Sequence, residues 1–105
     1  MRFIETSYFT KQVIALLPDE EYRRLQEVLL TRPEAGDLIP GGGGLRKLRW
    51  RIAGKGKRGG LRLIYYWAVQ DDVFFMLTIY KKSQKEDLTL QQLKALRVLV
   101  EEWLK

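Results

Sequence analysis

Lys47-Leu48-Arg49-Trp50-Arg51-Ile52 alternates cation and apolar side chain without a break. A strand sends successive side chains to opposite faces. The run therefore predicts a strand with Leu48, Trp50 and Ile52 toward a core and Lys47, Arg49 and Arg51 on the other side. After it, Gly54-Lys55-Gly56-Lys57-Arg58-Gly59-Gly60 is rich in charge and poor in bulk, as a hairpin loop is. Leu61 to Val69, dense in β-branched and aromatic residues, predicts a second strand. Gln70-Asp71-Asp72 makes a turn, and Val73 to Tyr80 a third strand. Short loops between successive strands imply an antiparallel meander.

Working outward, Arg2 to Glu5 reads as an opening strand. Thr6 or Ser7 caps a helix with apolar positions Phe9, Val13, Leu16 and Leu17, which Pro18 interrupts. Asp19-Glu20-Glu21 then opens a second helix where negative charge suits the helix dipole. Tyr22, Leu25, Val28 and Leu29 give its apolar stripe, and Pro33 stops it. All nine glycines fall between Gly36 and Gly60, and the run Gly41 to Gly44 marks the change from helical to strand period. At the other end Thr89, with Gln92 three residues on, forms a capping box. It opens a closing helix whose face is Leu93, Leu96, Leu99, Val100 and Trp103. The expected class is α+β in the order β-α-α-β-β-β-α, one domain over residues 1–105. Two helices cover one face of the sheet, and a concave basic face lies opposite.

Strand parity sorts the rest. Leu61, Leu63, Tyr65 and Trp67 are assigned to the core, which leaves Arg62 and Tyr66 outside. Val73, Phe75, Leu77 and Ile79 are assigned to the core of the third strand, which leaves Thr78 and Tyr80. The open face then gathers Lys47, Arg49, Arg51, Arg62, Tyr66, Thr78 and Tyr80. Lys55, Lys57 and Arg58 lie on the loop above, and Lys81, Lys82 and Lys85 just beyond the last strand. Cations hold phosphates and aromatic rings stack bases, so this set suits a nucleic-acid strand.

Charge agrees. The chain of 105 residues carries a net +6, yet Arg46, Lys47, Arg49, Arg51, Lys55, Lys57, Arg58 and Arg62 all fall between Asp37 and Asp71 with no acid among them. That stretch holds +8, so the remainder sums to −2. Segregation of this kind marks a polyanion-binding surface. The chain has neither cysteine nor histidine, so disulfides, thiolate chemistry and imidazole acid–base catalysis are excluded. The basic segment has no carboxylate cluster for a metal nuclease, and no metal or other cofactor is called for. The glycine run leads into a strand and lacks the Lys-Ser/Thr of a phosphate-binding P-loop. No apolar run is long enough to span a bilayer and no signal peptide is evident, so the expected address is the cytoplasm.

The sequence Gly43-Gly44-Leu45-Arg46-Lys47-Leu48-Arg49 is followed by Gly54 to Tyr66 and by Leu77-Thr78-Ile79-Tyr80-Lys81-Lys82. With the Asp19-Glu20-Glu21-Tyr22 helix start and the Pro33-Glu34-Ala35-Gly36-Asp37 turn, it resembles the HigB branch of the RelE-like toxins over nearly the whole chain. The resemblance implies a ribosome-dependent endoribonuclease that cuts mRNA in the decoding site. It also implies a HigA-like antitoxin partner with a helix-turn-helix domain. Carried over by position, the groups around the scissile phosphate are Lys47, Arg49, Arg62 and Lys82. A tyrosine used by some members near the C-terminus falls here on Leu88, and Tyr80 and Tyr66 are its substitutes. Arg46, Arg51, Lys55, Lys57, Arg58, Lys81 and Lys85 are expected to hold RNA.

Metal-free cleavage uses the RNA's own 2′-hydroxyl against the adjacent phosphate. Arg62, always charged and able to bond bidentately, suits the phosphorane. Crowding by Arg49 and Arg62 favours the neutral form of Lys47 and makes it a candidate base, and the lysine-rich loop offers Lys55, Lys57 or Arg58 instead, so the general base stays open. A non-catalytic RNA- or ribosome-binding module with the same basic face is the rival reading.

Overall fold

The computed structural model describes residues 2–52, 59–85 and 87–105. Its elements are β1 (Arg2–Glu5), α1 (Ser7–Leu16), α2 (Asp19–Thr31), β2 (Asp37–Leu38), β3 (Arg46–Arg51), β4 (Gly60–Ala68), β5 (Val73–Lys81) and α3 (Leu90–Leu104). The five strands form one sheet in the order β1-β5-β4-β3-β2. β3, β4 and β5 make the antiparallel meander, while β1 runs parallel to β5. The α+β class and element order follow the sequence reading, with β2 as an unanticipated addition. Its two residues pair with Lys47 and Arg46 and carry no periodic signal.

Capping chemistry sets the helices. Thr6 Oγ1 accepts from the Phe9 amide at 2.9 Å and donates to the Leu77 carbonyl at 2.9 Å, so one hydroxyl starts α1 and ties it to β5. The capping box of α3 is present on Thr89 and Gln92. β1 covers β5 only from Val73 to Met76. Beyond that point the amide of Ile79 and the hydroxyl of Thr78 donate to Gln12 of α1, at 3.1 and 2.9 Å. A helix side chain thus closes what would otherwise be an open strand edge.

The sheet is covered on both faces. α1 and α2 bring Phe9, Val13, Leu25 and Leu29 against Leu48, Leu61, Leu63, Tyr65, Phe74, Met76 and Ile79. α3 brings Leu93 and Val100 against Ile64, Ala68, Val73, Phe75, Leu77 and Tyr80, and Trp103 stacks on Phe75 at 4.6 Å. Two expectations are corrected here. The face opposite the helical hairpin is not open along its length, because α3 closes the half under Tyr66 and Phe75. Tyr66 is half-buried there, its ring against the Gly44 backbone.

The phase assigned to β5 is also wrong for most of its length. Phe74 and Met76 face the hairpin, whereas Val73, Phe75 and Leu77 face α3. The cause is a bulge: Ile64 pairs with Thr78 but Tyr65 pairs with Met76, which leaves Leu77 as the extra residue. An extra residue inverts which side chains point where. Ile79 lies past the bulge and faces the hairpin as expected. Among the described residues no helix is long and apolar enough to cross a membrane.

Candidate nucleic-acid interface

Two cross-strand rows build the site. Arg49 of β3 pairs with Arg62 of β4, which pairs with Tyr80 of β5. The neighbouring row on the same face is Lys47, Ile64 and Thr78. Strand alternation brings Lys47, Arg49, Arg62 and Tyr80 to one side, and the ladder brings them side by side.

Arg49 and Arg62 of the first row open onto a depression of about 550 Å³ lined by Arg49, Trp50, Arg51, Gly60, Arg62, Lys82 and Ser83. Four cations line it, and none of its described lining residues is acidic. Arg62 is only 8% exposed. Its guanidinium donates to the Leu61 carbonyl at 3.2 Å and has no ion-pair partner among the described residues. A buried charge is normally paired. Among the described residues its remaining donors meet no protein acceptor, which leaves them available to an anion.

Lys47 is treated differently. Its ammonium meets the Asp87 carboxylate at 2.7 Å, beside a smaller hollow of about 260 Å³. That hydrogen bond, followed by the charges of Lys47, Arg62 and Arg49, holds the Asp87 carboxyl below the usual carboxylate range. Asp87 supplies a counter-charge that was absent from the sequence argument for Lys47 as a base. Tyr80 is buried, and its hydroxyl has no hydrogen-bond partner among the described residues. Burial, reinforced by Asp87 and opposed by Arg62, pushes its phenol up, so it is a neutral donor at physiological pH.

The other predicted contacts scatter. Arg46 pairs with Tyr65 on the hairpin face and donates to the Gly36 carbonyl at 2.8 Å, where it fastens a turn. Lys81 pairs with Leu61, on that same face. Lys85 lies over the Tyr80 ring at 5.4 Å, in a groove between α1 and α3. Arg51 joins the depression, and Tyr66 is packed under α3. Lys55, Lys57 and Arg58 lie outside the described residues. Asp87, Trp50 and Ser83 were not anticipated. Asp87 sits forty residues from Lys47 in sequence, and its only signal was its position next to Leu88.

A family model described as the RelE toxin of the RelE / RelB toxin-antitoxin system matches residues 4–105. This chain belongs to the RelE toxin family. Two solved structures share the fold. One is an E. coli toxin RelE mutant in the free state, with a TM-score of 0.57 and 21% identity over 80% of this chain and 85% of that one. The other is the intact E. coli RelBE toxin-antitoxin complex, with a TM-score of 0.54 and 23% identity over 75% and 93%. The chain is a RelE-type toxin of a toxin–antitoxin system, and such toxins pair with an antitoxin.

Proposed function

We propose that this toxin is a ribosome-dependent mRNA endoribonuclease of the HigB branch, neutralised by a HigA-like helix-turn-helix antitoxin. The observation that carries the reading is the buried Arg62, without an ion-pair partner among the described residues, at the centre of the Arg49–Arg62–Tyr80 row and beside Arg51 and Lys82. Phosphodiester oxygens are the anions that such a row fits, and an mRNA held in the decoding site would present them.

In the proposed reaction the 2′-oxygen bonds to phosphorus as its proton leaves to a base. The bond from phosphorus to the 5′-oxygen then breaks, and that oxygen takes a proton. The products are a 2′,3′-cyclic phosphate and a 5′-hydroxyl. No metal ion enters this scheme. Arg62 and Arg49 stabilise the charge that builds on the phosphorane. Tyr80 within that row and Lys82 in the depression beside it are the candidate proton carriers, with Lys47 held one row away by Asp87.

The rival reading, a binding module that does not cut, draws on the same geometry. Lys47 is engaged by Asp87 and the Tyr80 hydroxyl is buried, so neither is poised for proton transfer as it stands. Mapping transcript 5′ ends after brief induction separates the two. New ends inside the codons of translated messages support the enzyme. Growth arrest without such ends supports the binding module.

A further inference from the structure

The hollow beside Lys47 lies on the same face as the Arg49–Arg62 pair, one row along. Two residues of strand separate the rows, about 6.6 Å. That is on the scale of the reach from a phosphate to the base of its own nucleotide.

The walls of the hollow are apolar. Ile39 and Pro40 come from the turn after β2, Ile64 from the sheet floor, Leu88 from just ahead of α3, and Leu90 and Leu93 from its first turn. Its polar groups are Tyr80 and the Lys47–Asp87 pair, in which a donor and an acceptor stand 2.7 Å apart. At about 260 Å³ it is smaller than the roughly 300–1,000 Å³ of pockets for drug-sized ligands, so it holds one ring system rather than a peptide segment. Flat apolar faces with donors and acceptors confined to the edge describe a nucleobase. Bases turned out of a stack are held between apolar side chains and read along that edge.

We infer that this hollow takes the base of a nucleotide bordering the scissile phosphate. Ile39 and Leu88 grip its faces, and the Lys47–Asp87 pair reads its edge. The inference rests on the ribonuclease reading and deepens it, because the hollow would set which codons are cut. The exposed Asp87 carboxylate accepts only; an amide there would also donate, which changes the edge that is preferred.

The test maps 5′ ends after brief induction of the wild type, Asp87→Asn and Ile39→Trp, with antitoxin binding as the control for folding. The expected result for Asp87→Asn is a change of severalfold in base frequencies beside the cuts, normalised to total cuts. Ile39→Trp fills the hollow and is expected to lower the number of cuts tenfold or more while antitoxin binding is kept. Wild-type base frequencies for Asp87→Asn together with undiminished cutting by Ile39→Trp would overturn the hollow alone. Absence of any cuts by the wild type would overturn the ribonuclease reading and the hollow with it.

Discussion

Arg62 stands directly across from Arg49 in the β3–β4 ladder, two guanidinium groups in adjacent positions with no carboxylate among the described residues lining the depression they share. Like charges placed opposite one another weaken a sheet by roughly 0.2–1 kcal/mol. Under the proposed function, the pair is kept for an anion that enters between the two.

Removing that repulsion should therefore stabilise the fold. Arg62→Leu keeps an apolar stem in a buried strand position and deletes the charge. Its thermal midpoint is expected to rise by a few degrees, about 0.5–1 kcal/mol of stability, while toxicity is lost. Calorimetry beside a growth assay checks both. A destabilised and still toxic variant would contradict the assignment.

Tyr80→Phe separates structure from chemistry. The hydroxyl it removes is buried without a hydrogen-bond partner among the described residues, so the variant is expected to fold at least as stably as the parent. The phenol's ionisation is raised in the folded state. Its neutral form therefore contributes stability that is complete below about pH 10 and lost as pH rises through the higher folded value. Wild type should lose stability relative to Tyr80→Phe only above pH 10, as denaturant melts at alkaline pH would register. If Tyr80 donates a proton in cleavage, the variant cuts about 100-fold or more slowly. An unchanged rate would remove Tyr80 from the chemistry.

Asp87 gives a prediction of opposite sign. Its carboxyl is held below the ordinary value of 3.8, chiefly by the hydrogen bond from Lys47. The charged form then contributes stability that is present above 3.8 and lost as pH falls through the depressed value. A small difference in midpoint between wild type and Asp87→Asn is expected at neutral pH, and it should close under strong acid. A gap that widened on acidification would rule the ion pair out as its source.

Much of this was legible in the sequence, for identifiable reasons. β3 alternates cleanly because Arg49 and Arg51 stay exposed while Leu48 is buried, so its two faces differ in kind. β5 is buried from Val73 to Tyr80 on both sides, so alternation carried no information there. The bulge at Leu77 then inverted the phase unseen. Charge alone groups Arg46 with the RNA-binding cations, but it shares the parity of Leu48, and the fold uses it to fasten a turn. The Lys47–Asp87 pair joins residues forty positions apart through a loop that no periodicity describes.

Gly44 tests how the turn ahead of β3 positions Tyr66. Its φ is +101°, and a Cβ there would lie 2.8 Å from the Tyr66 ring. Gly44→Ala should cost about 1–2 kcal/mol for the left-handed backbone alone, with more from displacing the ring. A thermal midpoint equal to wild type would show that the turn relaxes freely.

Under the proposed function, the row centred on Arg62 cuts RNA. The most direct measurement is single-turnover cleavage of an mRNA held in the decoding site by purified wild type and by Arg62→Ala of matching circular dichroism. The wild type is expected to leave 2′,3′-cyclic phosphate and 5′-hydroxyl ends, and the variant to cut about 100- to 1000-fold more slowly. Equal rates from the two proteins would contradict that function.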